Sequence, residues 1–130
     1  SGNDSPGPRP VPQDVLIVED DFIIALDLED MLRSLGVTVV RTANSVARAL
    51  ALITESVPQF GLIDVNLGGE KSFEVAERLR QLGVPFVFTT GYGDKFAFPA
   101  GVKDAGIVSK PYTVEALRAA ILPYGQCEPT

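Results

Sequence analysis

At 130 residues, with 45% hydrophobic and 22% charged side chains, the chain has room for one ordinary globular domain that needs neither disulfides nor a structural metal to hold a core. Seventeen acids against eleven bases give a net charge of −6 with no local Lys/Arg cluster, which argues against nucleic acid as a partner. The lack of histidine excludes His-based general bases, Ser–His triads and His-ligated zinc; the lone Cys127 implies a reducing, cytoplasmic setting, and no apolar run approaches a membrane span.

Residues 1–12 hold four prolines and two glycines without apolar periodicity, the composition of a flexible tail. The folded domain is expected over 13–124, with a short tail over 125–130. Val15–Val18 is a continuous apolar run, as in a strand buried on both faces, and Glu19-Asp20-Asp21 stops it. Ile24, Leu28, Met31, Leu32 and Leu35 then fall on one helical stripe that Gly36 closes. A second strand is expected over Val37–Arg41. Ser45 is placed to cap a helix carrying Val46, Leu50 and Ile53. A third strand follows over Phe60–Asp64, and a helix over Ser72–Leu82 through Val75, Ala76, Leu79 and Leu82. The fourth strand is read over Pro85–Thr89, with Phe86 and Phe88 as core, and a short fifth over Ile107–Ser109. Thr113 caps a last helix carrying Val114, Leu117 and Ile121. Between strands four and five, residues 91–106 contain four glycines and a proline, so a flexible loop is expected where a fourth helix would stand. Strand–helix alternation of this kind predicts a flavodoxin-like (βα)5 doubly wound parallel sheet in the order 2-1-3-4-5.

Ligands of such sheets sit at the carboxyl ends of the strands. This chain places Glu19, Asp20 and Asp21 after strand one, Asp64 and Asn66 at strand three, Thr89 and Thr90 at strand four, and Lys110 with Pro111 at strand five. Taken singly, these residues read as helix-start acids, a turn acid and a strand-end charge. Together they form a chemical site, since clustered like charges cost stability. An all-oxygen donor set suits Mg²⁺, with Glu19, Asp20 and Asp64 giving carboxylates and Asn66 a backbone carbonyl. The Lys110 ammonium and the Thr90 hydroxyl would meet a further anion. Cation, ammonium and hydroxyl around one carboxylate are what phosphoryl transfer needs, with Asp64 as the nucleophile.

The motifs Val-Glu-Asp-Asp at 18–21, Leu-Ile-Asp-Val-Asn at 62–66, a Thr after strand four and Ser-Lys-Pro-Tyr at 109–112 resemble the receiver domains of two-component response regulators over about residues 14–123. The resemblance implies that Asp64 is the phosphoacceptor, Glu19, Asp20 and Asp64 the metal pocket, Asn66 a carbonyl ligand, Thr90 the switch hydroxyl and Lys110 a phosphoryl contact. It also implies a cis Lys110–Pro111 peptide and a sensor histidine kinase as the phosphodonor. Pro85-Phe86-Val87-Phe88-Thr89-Thr90-Gly91-Tyr92 resembles the FATGUY motif of single-domain receivers of alphaproteobacteria, with Thr89 in place of an alanine. That subgroup implies kinases of the HWE or HisKA2 type and general stress signalling.

One departure bears on switching. The aromatic residue that receivers place three positions before the lysine is Ile107 here. Tyr92, or ordering of the 91–106 loop on phosphorylation, is the substitute route. The expected function is that of a monomeric single-domain receiver that signals through a protein partner, still unknown, or acts as a phosphate sink, and that catalyses only its own phosphorylation and dephosphorylation. Its expected lack of an effector rests on the seven residues after Pro123, and a receiver cut from a longer protein is the other reading of that length. A phosphorylation-independent protein-binding module is the alternative, disfavoured by the complete acidic set. An Asp-nucleophile phosphatase is disfavoured by Asn66 where a general acid would stand, and a flavin carrier by three acids where phosphate would bind.

Overall fold

The computed structural model describes residues 11–91, 99–102, 105–109 and 112–124. The sequence elements condense into β1 (Asp14–Val18), α1 (Phe22–Ser34), β2 (Val39–Ala43), α2 (Val46–Glu55), β3 (Phe60–Asp64), β4 (Asn66–Leu67), β5 (Glu70–Lys71), α3 (Phe73–Gln81), β6 (Phe86–Thr90), β7 (Gly106–Ser109) and α4 (Val114–Ile121), with a 3₁₀ turn over Leu122–Tyr124. The main sheet has five parallel strands in the order β2-β1-β3-β6-β7. With the small β4–β5 hairpin set aside, this is the expected 2-1-3-4-5 order.

The central strands separate two apolar layers because successive side chains point to opposite faces. Leu16, Val18, Ile63, Phe86 and Phe88 pack with α2 and α3 through Ala49, Ile53, Val75 and Leu79. Val15, Ile17, Phe60, Leu62 and Val87 pack with α1 and α4 through Leu28, Leu32, Leu117 and Ile121. Phe88 also meets the Phe73 and Phe86 rings edge-on at centroid distances of 5.9 and 5.6 Å, a geometry that aromatic quadrupoles favour.

Two strand boundaries and the burial of two valines differ from the sequence reading. β2 begins at Val39 rather than Val37. Val37 belongs to the closing motif of α1: its N–H donates to Leu32 O (3.1 Å), the Gly36 N–H to Arg33 O (3.1 Å), and Gly36 takes φ +107°. α3 ends the same way, with Val84 N–H to Leu79 O (2.9 Å), Gly83 N–H to Arg80 O (3.1 Å) and φ +76° at Gly83, so β6 begins at Phe86 and runs through Thr90. Val114, counted in the buried stripe of α4, is 38% exposed at its first turn. Val11, placed in the tail by composition, is 2% exposed and packs with the α1/α4 layer.

In the 91–106 segment, Pro99–Val102 form a turn closed by Val102 N–H to Pro99 O (3.0 Å), Val102 is buried, and Gly106 already belongs to β7. Residues 92–98 and 103–104, and with them Tyr92, lie outside the described residues, as do Lys110 and Pro111.

Gly61 sits mid-strand in β3, where an added Cβ would lie 2.7 Å from Leu79 Cδ1 and 3.3 Å from Phe86 Cβ. Gly61→Ala is therefore expected to lower stability by about 1–3 kcal/mol, the cost of overpacking a filled core, read from the denaturant midpoint.

Candidate functional site

The register of the two central strands builds the site. Val18 of β1 pairs with Ile63 of β3, so the next residue on each, Glu19 and Asp64, leave the sheet side by side at its carboxyl edge. The Glu19 N–H donates to Ala43 O (2.9 Å), holding the chain in line just past the strand end. Glu19 is 3% and Asp64 4% exposed, whereas Asp20 is exposed. One carboxylate oxygen from each of Glu19, Asp20 and Asp64 lies within 4.8 Å of the others.

Backbone N–H groups orient these acids. The Asp21 N–H donates to Glu19 Oε2 (3.1 Å), and the Asn66 N–H to Asp64 Oδ1 (3.1 Å). The Asp21 side chain serves α1 instead, where its Oδ1 accepts from the Ile23 and Ile24 N–H groups and caps the helix. The sequence run Glu-Asp-Asp thus splits into two site acids and one cap. A cleft of about 260 Å³ opens beside Glu19 and Asp20, with Phe22, Asn44 and Arg48 on its walls.

A hairpin that the sequence reading did not recognise follows Asp64. β4 and β5 pair Asn66 with Lys71 and Leu67 with Glu70 around Gly68 and Gly69, at φ +62° and +97°. Two positive φ values are the signature of a tight two-residue hairpin turn. The Asn66 side chain is committed to this turn, its Oδ1 accepting from the Gly69 N–H (3.1 Å). Glu70 Oε2 accepts the Val46 N–H at the start of α2 (3.2 Å). Ser72, fully buried, donates its hydroxyl to Asp64 O (2.6 Å) rather than capping α3, so it fixes the backbone at the end of β3. The Gly-Gly pair flanked by Leu67 and Glu70 was the available sequence signal for the hairpin; nothing in the sequence announced the role of Ser72.

At β6, Thr89 pairs with Asp64 and is 1% exposed, while Thr90 stands one residue nearer the carboxyl edge, pairs with Ser109 and is 8% exposed. Alternation places the two hydroxyl side chains on opposite faces. Ile107 pairs with Phe88 on β7 and is 52% exposed at the sheet edge. Lys110, also expected at the site from the sequence, lies outside the described residues.

All the donors in this cluster are oxygens, and two of the three carboxylates are buried next to each other. That donor chemistry fits a hard divalent cation, which would offset the repulsion that burial amplifies.

Known proteins resemble the chain in sequence and fold. The family model described as the response regulator receiver domain matches residues 15–122. The phyllosphere-induced regulator PhyR of Methylorubrum extorquens is 31% identical over 111 residues, covering 83% of this chain and 42% of PhyR, so the chain spans less than half of that relative's length. The solution structure of SdrG from Sphingomonas melonis Fr1 superposes with a TM-score of 0.74 at 41% identity, covering 84% of this chain and 92% of SdrG. The receiver domain of PhyR from Erythrobacter litoralis gives a TM-score of 0.71 at 31% identity, covering 92% of this chain and 96% of that domain.

The carboxylate cluster has a stability signature. In divalent-free buffer Asp64→Asn is expected to melt above the wild type, because it removes one of two buried like charges. Added Mg²⁺ is expected to raise the wild-type melting temperature, by about 2.7 kcal/mol of stabilisation at a hundredfold excess over Kd, and to leave Asp64→Asn nearly unmoved. Thermal unfolding with and without chelator reads both.

Proposed function

Since the chain belongs to the response regulator receiver family, we propose that it takes a phosphoryl group from a histidine of a sensor kinase onto Asp64, in a reaction that needs Mg²⁺, and passes the signal on through a protein partner or stores the phosphate as a sink. The observation that carries this reading is the approach of Glu19, Asp20 and Asp64 to within 4.8 Å at the carboxyl edge of the central strands. The FATGUY-like run from Pro85 to Tyr92 supports placing the chain among single-domain receivers served by HWE or HisKA2 kinases in stress signalling.

In this mechanism a carboxylate oxygen of Asp64 attacks phosphorus in line with the leaving imidazole. The P–O bond forms as the P–N bond breaks, and the nitrogen keeps the electron pair and is protonated. The Asn66 N–H bond to Oδ1 and the Ser72 anchor on the Asp64 carbonyl hold the carboxylate in one orientation, so little ordering remains to be done at the moment of transfer. Bound Mg²⁺, held by Glu19, Asp20, Asp64 and the Asn66 carbonyl, would neutralise charge on the phosphoryl oxygens. Lys110 supplies a positive charge to the same oxygens and Thr90 a hydroxyl donor from the end of β6. Phe22 and Ile23, 73% and 76% exposed at the start of α1, flank this edge and give a protein donor an apolar landing.

The test is beryllofluoride, which mimics an aspartyl phosphate. With Mg²⁺ it is expected to shift the amide resonances of residues 19–21, 64–69 and 89–91 in the wild type. Asp64→Asn should abolish the shifts. Lys110→Ala should slow phosphorylation by a small phosphodonor roughly 10²-fold, the scale for losing one donor aimed at developing charge. Thr90→Ala should slow it more than Thr89→Ala does. An unchanged response in Asp64→Asn would reject the assignment.

A further inference from the structure

The hairpin beside the acceptor has a feature that its own folding does not need. Gly68 and Gly69 both take positive φ, +62° and +97°, so any L side chain is strained at either position. Their surroundings differ. A Cβ on Gly69 would meet nothing within 4 Å, whereas a Cβ on Gly68 would lie 3.2 Å from Asp20 Oδ2. That is closer than ordinary van der Waals contact, and the atom it meets belongs to the acidic cluster. Glycine at 68 therefore leaves clearance for one carboxylate of the site across a gap between two separate loops.

Two links anchor the second arm of the hairpin. Ser72, which directly follows β5, donates to the Asp64 carbonyl at 2.6 Å. Glu70, within β5, accepts the Val46 N–H at 3.2 Å and latches the hairpin to the start of α2. Leu67, 5% exposed, buries the first arm of the hairpin in the layer between the sheet and α2/α3. A turn fixed in this way does not yield easily to a new methyl group, so Asp20, which is exposed, has to move instead.

We infer that Gly68 is a positioning residue for Asp20: its missing side chain lets the Asp20 carboxylate stand in the cluster with Glu19 and Asp64, and so sets the affinity of the site for a divalent cation. The inference rests on the cation reading of that cluster. It also separates two effects of substitution. Without cation, Asp20 can swing into solvent, so Gly68→Ala and Gly69→Ala should each show only the cost of backbone strain, the larger at Gly69, whose φ of +97° lies outside the left-handed region open to L residues. With cation, only the methyl at 68 competes with the position Asp20 must occupy.

The experiment compares the full chain with Gly68→Ala and Gly69→Ala. Mn²⁺ affinity is followed by the loss of free-ion electron paramagnetic resonance signal, Mg²⁺ affinity by competition, and thermal unfolding is recorded in chelator. The expected result is a lowered melting temperature in both variants, the more so in Gly69→Ala, with Mn²⁺ binding nonetheless weakened about tenfold in Gly68→Ala and within about twofold of wild type in Gly69→Ala. Equal affinities in the two variants would overturn the inference while leaving the cation site standing. If Gly68→Ala does not fold, Gly68→Asn replaces it, since asparagine tolerates the left-handed region, with Gly69→Asn as its partner. No Mn²⁺ binding by the wild type would instead overturn the cation reading itself.

Discussion

Two buried carboxylates side by side are the constraint around which the rest of this molecule is arranged. Glu19 and Asp64 leave adjacent parallel strands at the same level, 3% and 4% exposed, with Asp20 completing a cluster 4.8 Å across. Left alone, such a group repels itself and weakens the fold. It persists because the strands beneath it are fixed in register by apolar layers on both faces, and because backbone N–H groups at Asp21 and Asn66 donate to it. Stability given up at the carboxyl edge is supplied by the packing below it, and a bound cation would offset the repulsion between the acids.

The supports form a connected set. Ser72 joins the start of α3 to the carbonyl of Asp64, Glu70 joins the hairpin to α2, and Arg41 reaches from β2 to the closing carbonyls of α2 at Leu52 and Ser56 (3.0 and 2.9 Å) as well as to Asp14 (3.2 Å). These polar links occur where loops and helix ends would otherwise leave backbone groups unsatisfied, and each also fixes the angle at which an element meets the sheet. The site is thereby built on elements that cannot shift independently of one another, which is the condition for holding like charges at short range.

Much of this was legible in the residues themselves. The four-residue apolar run before Glu19, the stripe Leu28–Leu32 and the caps Ser45 and Thr113 announced their elements directly, because burial on two faces, helical spacing and N-cap chemistry each leave a local pattern. The acids were legible as a site because no local need explains three of them at the ends of two strands. What escaped was non-local or ambiguous. Val37 is as apolar as any strand residue, and only its bond back to Leu32 shows that it finishes a helix. Val114 sits on the right period but in a first turn that the core does not reach. Ser72 reads as the first residue of a helix until the sheet brings the Asp64 carbonyl over it. The Gly68–Gly69 turn suggests a hairpin, but its closeness to Asp20 depends on the folding of two loops that are 48 positions apart in the chain.

In the mechanism proposed, Asp64 and no other carboxylate of the cluster receives the phosphoryl group. Reduction of the freshly phosphorylated protein with borohydride converts an aspartyl phosphate to homoserine, which peptide mass spectrometry locates. The expected product carries homoserine at position 64 only, and only when Mg²⁺ was present during phosphorylation. Homoserine at position 20 or 21, or labelling of residue 64 that is equal with and without Mg²⁺, is incompatible with that mechanism.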